Sequence, residues 1–500
     1  MRIKGFLASE KSVYLFLFLI AFFFIINSTY SPVNFRRMHV DSSVYVTIAQ
    51  NITRGFLPYS DLPDNKGPLL YLINAAGWKI GGFTGIWFME LVFMFASVFF
   101  AYKTALFFGS RLIAFLGVLF SLVVLYAFFT VNAGVEGYSM PFFMFSMYIF
   151  AKYFFASENK TRFFELIFLG ASFTCAIMIR INAFSLWAGF CAVIFIELLV
   201  KKRYALLGKY ALGFCLGIIA AGTPIFLYLF LNGILDDFVK HVIIGSVSRG
   251  FADTSLKAVA TNFYSIINRT LSIIPLAVGF FWIITKFKRN MFSYSIGYFI
   301  SYFLLILFLS FSTNLIHMNS ILIPFFVPSL AFLVGATYSA FSDYKHKTLF
   351  TVLFFSLIFS EGIVNYLYDS SKILHDNSGA ELINAGRIIE ENTSVNDKII
   401  SFGGQAYIYP FVNRQPASRY FFQTSSFYFI PGAREEFISD ILSVKPAIIA
   451  LFTADDADRS GNAFIASDWH APIFKMMETD YRLLSEDNGF KLFIRVQNEF

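Results

Sequence analysis

Carboxylates, a lysine and several tyrosines are concentrated between residues 39 and 71 of an otherwise apolar chain. Asp41 and Tyr45 are four residues apart, so they share one face if this stretch is helical. Lys66 comes two residues before Pro68, a favoured first residue of a helix, so its ammonium group lies beside free N–H groups that favour an anion. A carboxylate that accepts a proton, close to a site that holds a phosphate, is what transfer of a phosphate-linked sugar requires. The alternative is that these charges pair with one another and solvate a loop, and the residue types alone leave both interpretations open.

The elements that must position these side chains are membrane helices. The chain has 500 residues, of which 57% are hydrophobic and 14% charged, and its mean hydropathy is +0.64. An ordinary soluble domain has about 25% charged residues, so water cannot be the main solvent of this chain. Apolar runs that are long enough, or nearly so, to cross a bilayer lie at roughly 13–30, 84–107, 112–130, 139–156, 163–179, 183–200, 209–231, 270–285, 292–311, 318–341 and 348–367. We therefore predict a polytopic α-helical membrane protein with about eleven transmembrane helices.

The distribution of positive charge predicts the orientation of these helices. The basic N-terminus and the short connectors that contain Lys or Arg fall on one side of the predicted membrane, whereas the turns at 131–138 and 312–317 contain neither residue. Because cytoplasmic loops are enriched in Lys and Arg, we expect a cytoplasmic N-terminus, a first helix that is retained, and an extracytoplasmic C-terminus. Residues 1–369 hold 27 Lys and Arg against 15 Asp and Glu, whereas residues 370–500 hold 12 against 17. The basic excess therefore belongs to the membrane part and does not indicate a nucleic-acid partner.

Two kinds of region interrupt the series of spans. The first outer loop, 31–83, is predicted to contain two short helices along the membrane surface, and a second outer loop lies at about 232–268. After residue 370 helices alternate with short strands, with helices predicted at 381–391 and 434–442 and strands at 397–402, 446–452 and 490–495. We therefore predict a transmembrane domain at 1–369 and a small extracytoplasmic α/β domain at 370–500. No cysteine lies in the second domain, so neither a disulfide nor a cysteine zinc site is available there.

Several elements of the first outer loop together resemble a known family. In chain order they are Asp41-Ser42, Tyr45, Ala49-Gln50-Asn51-Ile52-Thr53-Arg54-Gly55 and Lys66-Gly67-Pro68-Leu69. This order resembles the first outer loop of the C-type membrane glycosyltransferases, the superfamily of the protein O-mannosyltransferases and the aminoarabinose transferase of lipid A. The predicted layout is also similar, with a long first loop, about eleven spans and a C-terminal outer domain. Ser42 and Gly67 depart from the common Glu and Pro of the family, which concerns the substrate more than the class.

The resemblance implies an inverting glycosyltransferase that takes a sugar from a polyprenyl phosphate. Its acceptor would be a glycan, lipid or protein outside the cytoplasm, and it would lie among the lipids of a bacterial inner membrane. By this resemblance Asp41 would be the general base, and Lys66, with Arg180 and His317, would bind the donor phosphate. The further candidate site residues are Tyr45, Asp61, Asp64 and Glu136.

Each weaker candidate also has a purely structural interpretation. Asp61 and Asp64 are three residues apart and do not form an Asp-x-Asp pair, so a divalent-metal requirement does not follow and no cofactor is expected. Glu136 is either a site residue or part of a solvated turn. Arg180 lies between two apolar runs, where a cation needs a partner or a wet cavity. His317 is either a site residue or a structural histidine at headgroup level.

Two other functions are compatible with many spans and an outer loop. An O-antigen polymerase or ligase typically has its large loop late in the chain and lacks the arrangement of Asp41 and Lys66. A lipid or solute transporter should have broken helices or charged residues near the bilayer midplane, whereas here the ionisable residues are predicted to cluster outside. Both alternatives are therefore less favoured than the glycosyltransferase.

Overall fold

The computed structural model describes residues 9–33, 38, 40–128, 134–156, 161–245, 255–269, 271–285, 289–311, 316–372, 375–376, 378–402, 406–423, 432–452, 470–487 and 490–496. The α-helices are α1 (Glu10–Ile25), α2 (Val40–Ile52), α3 (Pro68–Ala105), α4 (Arg111–Phe128), α5 (Val135–Phe155), α6 (Phe163–Ile177), α7 (Ser185–Val200), α8 (Tyr204–Leu231), α9 (Leu235–Phe238), α10 (Leu256–Arg269), α11 (Ile273–Thr285), α12 (Arg289–Ser310), α13 (Ile323–Ala340), α14 (Lys347–Ile358), α15 (Ser360–Lys372), α16 (Ser378–Glu391), α17 (Ala433–Val444) and α18 (Ala471–Asp480). The strands are β1 (Lys398–Phe402), β2 (Gln415–Pro416), β3 (Ile448–Phe452), β4 (Tyr481–Asp487) and β5 (Phe490–Arg495). Short 3₁₀-helices lie at Ile181–Phe184, Ile316–Leu322 and Tyr409–Phe411, and a π-helix at Val239–Ile244.

The long apolar helices agree with a multi-pass membrane protein. Within the described ranges, α3, α8, the Met291–Ser310 part of α12 and the Asn319–Ala340 segment that contains α13 are each long and apolar enough to cross a membrane. The bent pairs α10 with α11 and α14 with α15 raise the number from 4 to 6 if each pair forms one span. Every apolar run of the sequence overlaps a helix. The count of about eleven transmembrane helices stays a prediction.

Helix α3 is two helical segments joined by a sharp break at Gly81 and Gly82. Gly82 has a φ of +57°, a conformation that favours glycine. A methyl group added to Gly85 would lie 2.0 Å from the carbonyl oxygen of Gly77. Eight residues of continuous helix would separate these two glycines by about 12 Å, so the chain folds back sharply at the break. The segment from Pro68 to the break therefore forms a short helix within 31–83, the predicted first outer loop, and the segment after it is the apolar helix predicted at 84–107.

The C-terminal part contains a five-stranded mixed sheet with the strand order β2-β1-β3-β5-β4. β1 pairs in parallel with β2 and β3, whereas β5 pairs antiparallel to β3 and β4. β1, β3 and β5 lie within the strands predicted from the sequence, and α16 and α17 contain the predicted helices. The sequence did not predict β2, β4 or α18. A small C-terminal sheet is therefore confirmed, and the extracytoplasmic location of this part stays a prediction.

One hydrophobic cluster joins the first outer loop to the C-terminal part. It contains Tyr45 and Ile48 of α2 together with Ile399 of β1 and Tyr409 of the last 3₁₀-helix. The hydroxyl of Thr47, which donates to the Ser43 carbonyl at 2.7 Å, also lies 3.4 Å from the carbonyl oxygen of Ala406. The cluster thus contains residues from both sides of the domain boundary predicted at residue 370. It positions α2, which has Asp41 in its first turn.

Candidate functional site

Helix α2 brings Asp41 and Tyr45 to one face, as their spacing predicted. Asp41 is partly exposed, and the Tyr45 side chain one turn later is 4% exposed. Burial raises the pKa of the Tyr45 phenol well above its ordinary value, and the negative charges of Asp41, Asp64 and Glu136 raise it further, whereas the Arg180 guanidinium lowers it. These four charged groups therefore lie close enough to one buried hydroxyl to act on it electrostatically. All five residues are candidates predicted from the sequence.

The segment that follows Lys66 is bonded directly to the turn that precedes Arg180. The N–H of Gly67 donates to the Ile179 carbonyl at 3.1 Å, and the N–H of Leu69 donates to the Met178 carbonyl at 3.1 Å. A methyl group on Gly67 would lie 2.0 Å from the Met178 oxygen. Glycine is required here because of this close approach and not because of its backbone conformation, since any residue can adopt a φ of −68°. The two cations predicted to bind phosphate therefore share one backbone scaffold.

The turn that presents Lys66 is held by tyrosine hydroxyls. The Lys66 N–H donates to the Tyr71 hydroxyl at 3.3 Å, and the Tyr59 hydroxyl donates to the Lys66 carbonyl at 2.8 Å. The Tyr71 hydroxyl in turn donates to Asp64 Oδ2 at 2.5 Å. The ammonium group of Lys66 donates to Asn65 Oδ1 at 2.9 Å. Lys66 thus has a fixed peptide and a side chain whose remaining N–H groups can bind an anion.

Asp61 and Asp64 have different positions in this turn. Asp61 Oδ2 accepts the N–H of Leu57 at 2.7 Å, so this carboxylate closes the turn in which it lies. Asp64 is only 8% exposed and accepts the Tyr71 hydroxyl. Burial raises the pKa of Tyr71 well above its ordinary value, and the charge of Asp64 raises it further. Tyr71 is therefore a hydrogen-bond donor to Asp64 at neutral pH.

Arg180 has the partner that its apolar surroundings required. Its Nη1 lies 2.5 Å from Glu136 Oε1, and the two side chains are 10% and 14% exposed. Glu136 is in the first turn of α5, where the helix dipole favours a negative charge. A narrow, mainly apolar cavity between α3, α4, α5 and α13 borders Glu136. Two candidates that are 44 residues apart in the sequence thus form one ion pair.

The backbone of His317 lies in the 3₁₀-helix before α13, and its side chain falls outside the part of the chain that the structure describes. Its role in phosphate binding stays a prediction. Glu90 is 5% exposed in α3 and forms no ion pair among the described residues. Arg419 of the C-terminal part is paired with Glu436 at 2.8 Å.

Three residues near the site were not singled out from the sequence. Tyr59 and Tyr71 are fully buried and hold the Lys66 turn. His241, in the π-helix of the second outer loop, is buried close enough to Asp64 and Arg419 for their charges to act on it. The order Lys-Gly-Pro-Leu-Leu-Tyr was a possible signal for Tyr71. Tyr71 lies one turn into the helix that begins at Pro68, and helical side chains point back toward the start of the helix, next to Lys66. No group of three or more His, Cys, Asp or Glu side chains suited to a metal ion is found among the described residues.

The fold is similar to solved structures of membrane glycosyltransferases. The crystal structure of ArnT from Cupriavidus metallidurans bound to undecaprenyl phosphate aligns with a TM-score of 0.61 and 11% identity, covering 97% of this chain and 98% of that one. ArnT in the apo state aligns with a TM-score of 0.59 and 12% identity, over 98% of this chain and 99% of that one. The Archaeoglobus fulgidus oligosaccharyltransferase in the apo form aligns with a TM-score of 0.52 and 13% identity, over 89% of this chain and 70% of that one. No protein-family model and no curated protein sequence matches the chain. The resemblance to the C-type membrane glycosyltransferases is confirmed at the level of the fold.

Proposed function

We propose that this protein is an inverting glycosyltransferase of a bacterial inner membrane. It transfers a sugar from a polyprenyl-phosphate donor to a glycan, lipid or protein acceptor outside the cytoplasm. The observation that carries the proposal is the convergence of Asp41, Glu136 and Arg180 on the Tyr45 hydroxyl, beside the backbone that joins Lys66 to the Arg180 turn. A base and two cations are the groups that this reaction needs.

In the proposed reaction, Asp41 accepts the proton of the acceptor hydroxyl while the hydroxyl oxygen attacks the anomeric carbon of the donor. The bond between that carbon and the phosphate oxygen breaks on the opposite face, so the configuration inverts. The electron pair of the broken bond stays on the polyprenyl phosphate, whose negative charge Lys66 and Arg180 stabilise. Asp41 is partly exposed, so an acceptor from water can approach this residue.

The lipid part of the donor is supported by two observations. ArnT, whose fold is similar, was crystallised with undecaprenyl phosphate. In this protein Glu136, the ion-pair partner of Arg180, borders a mainly apolar cavity among helices. A lipid phosphate can keep its chain against such apolar helices while its head reaches the two cations. A soluble nucleotide-sugar donor would not need a site in these surroundings.

The proposal is tested with purified protein in detergent, a panel of polyprenyl-phosphate sugars and an envelope extract as acceptor, by measuring the release of free polyprenyl phosphate. Wild type should turn over at least one donor. Asp41→Asn should lower turnover by about 100- to 10,000-fold, because general-base catalysis contributes about that factor. The substitution should leave the thermal unfolding temperature unchanged, since the amide has the size of the carboxylate.

The matched control is Asp369→Asn, which changes a half-exposed aspartate paired with Lys372 on α15. This variant should retain wild-type turnover. An Asp41→Asn protein that is as active as the control would exclude Asp41 as the base. A wild-type protein that releases no lipid phosphate from any donor of the panel would count against the whole proposal.

A further inference from the structure

The backbone N–H and C=O of Lys66 are both hydrogen-bonded to buried tyrosine hydroxyls. Tyr71 accepts its N–H at 3.3 Å, and Tyr59 donates to its carbonyl at 2.8 Å. The Tyr71 hydroxyl donates a hydrogen bond to Asp64 Oδ2 at 2.5 Å, which leaves the lone pairs of that hydroxyl available for the Lys66 N–H. Both tyrosines are 0% exposed. The chain thus buries two hydroxyls and one carboxylate around the backbone of a single residue.

Packing alone does not account for these hydroxyls. The rings of Tyr59 and Tyr71 contact each other at 5.9 Å between centroids, and Tyr59 also contacts Phe238 at 5.7 Å. Phenylalanine rings could make the same contacts. A buried hydroxyl is unfavourable unless it is hydrogen-bonded, and here every one of these bonds ends on Lys66 or on Asp64.

The backbone of this turn is also held in a rarely adopted conformation. Tyr59 has a φ of +70°, which is uncommon for a residue other than glycine. Its own N–H is bonded to the Leu62 carbonyl at 3.1 Å. The left-handed conformation directs the Tyr59 side chain into the interior, from which its hydroxyl reaches the Lys66 carbonyl seven residues later. Strained backbone of this kind persists only where surrounding contacts enforce it, and it is common at functional sites.

We propose that Tyr59 and Tyr71 are positioning residues that act through Lys66. Their hydroxyls fix the Lys66 peptide, and therefore the direction in which the ammonium group leaves the turn toward the donor phosphate. Asp64 acts one step further away, because it holds the Tyr71 hydroxyl in the orientation that accepts the Lys66 N–H. This inference rests on the proposed function, which assigns the phosphate to Lys66.

The test is a double-mutant cycle with Tyr71→Phe and Lys66→Ala, measured as the single-turnover rate of lipid-phosphate release with enzyme in excess. Tyr71→Phe alone should lower the rate by about tenfold, since small misplacements of a binding group reduce rates strongly. In the Lys66→Ala background, Tyr71→Phe should cause no further loss, because the group that it positions is absent. Equal fold losses in both backgrounds would overturn the proposal and assign Tyr71 a general structural role.

Tyr298→Phe is the matched control. Tyr298 is also 0% exposed, and its hydroxyl donates to the Phe325 carbonyl at 2.6 Å within the helical bundle. Its removal should lower the thermal unfolding temperature while changing the turnover rate by less than about twofold in either background, because the sites are independent.

A second measurement separates failure of this inference from failure of the proposed function. Hydrogen exchange of the Lys66 amide should be faster in Tyr71→Phe than in wild type and unchanged in Tyr298→Phe, because only the first substitution removes its acceptor. If wild type turns over no donor, the proposed function fails, and the exchange result alone decides whether the tyrosine holds the Lys66 peptide. An unchanged exchange rate in Tyr71→Phe would overturn the inference whatever the activity.

Discussion

Gly67→Ala should separate the Lys66 segment from the turn that precedes Arg180. The added methyl carbon would lie 2.0 Å from the Met178 oxygen, whereas ordinary contact begins at 3.4 Å, so the two segments must move apart by about 1.4 Å. Such a movement breaks the two hydrogen bonds of 3.1 Å that join them. Each bond contributes about 1 kcal/mol, so the free energy of unfolding should fall by about 2 kcal/mol.

The effect on catalysis should exceed the effect on stability. A displacement of about 1 Å at a catalytic site can lower a rate by about 100-fold, so turnover of the polyprenyl-phosphate donor should fall by about that factor. The assay is release of lipid phosphate at a temperature well below unfolding, with a thermal unfolding curve for the same preparation. This combination distinguishes a folded protein with misplaced cations from an unfolded one.

Gly208→Ala is the control for this prediction. Gly208 lies in α8 and an added methyl group would meet no atom within 4 Å. Alanine in a helix interior is more favourable than glycine by up to about 1 kcal/mol, so stability should stay or rise and turnover should not change. A Gly67→Ala protein with the turnover of this control would refute the argument that one scaffold positions both cations.

Two further predictions concern charges around the site. Glu136→Gln removes the counter-ion of Arg180, so the inhibition constant of free polyprenyl phosphate should fall about tenfold. This change corresponds to about 1.4 kcal/mol of binding free energy. A higher inhibition constant would contradict this role of Glu136. Burial and the neighbouring Lys240 lower the pKa of His241 below its ordinary value of 6.5, so the native state binds fewer protons than the unfolded state. Thermal stability should therefore fall as the pH is lowered from 6.5 through the folded-state pKa, and His241→Gln should flatten this profile in unfolding curves recorded between about pH 5 and 8.

Local sequence patterns predicted the parts of the site that depend on helix geometry. The four-residue spacing of Asp41 and Tyr45 predicted a shared face of α2, and Pro68 predicted the start of α3 just after Lys66. The need of Arg180 for a partner followed from its apolar neighbours, and the structure provides that partner in Glu136. These inferences succeeded because each depends on a helical repeat or on the cost of an isolated charge.

Features that depend on long-range contacts were not predictable in this way. A single sequence does not show which carboxylate meets Arg180, because Glu136 belongs to another helix. The bond from Tyr59 to Lys66 depends on a positive φ in a residue type that rarely adopts one. β4 was missed because it is an edge strand with largely exposed and polar residues, so it lacks the apolar pattern of β1 and β3.

The C-terminal part contributes to the position of the proposed base. The Thr47 hydroxyl lies 3.4 Å from the Ala406 carbonyl oxygen, and Phe83 at the break in α3 contacts Phe411 with ring centroids 5.2 Å apart. α2 is therefore held between the beginning of α3 and the C-terminal part, and its first turn carries Asp41. Because one hydrophobic cluster includes residues of all three elements, a change in the C-terminal part that shifts α2 also shifts the Asp41 carboxylate relative to Lys66. The packing of the C-terminal part is thus coupled to the geometry proposed for proton removal.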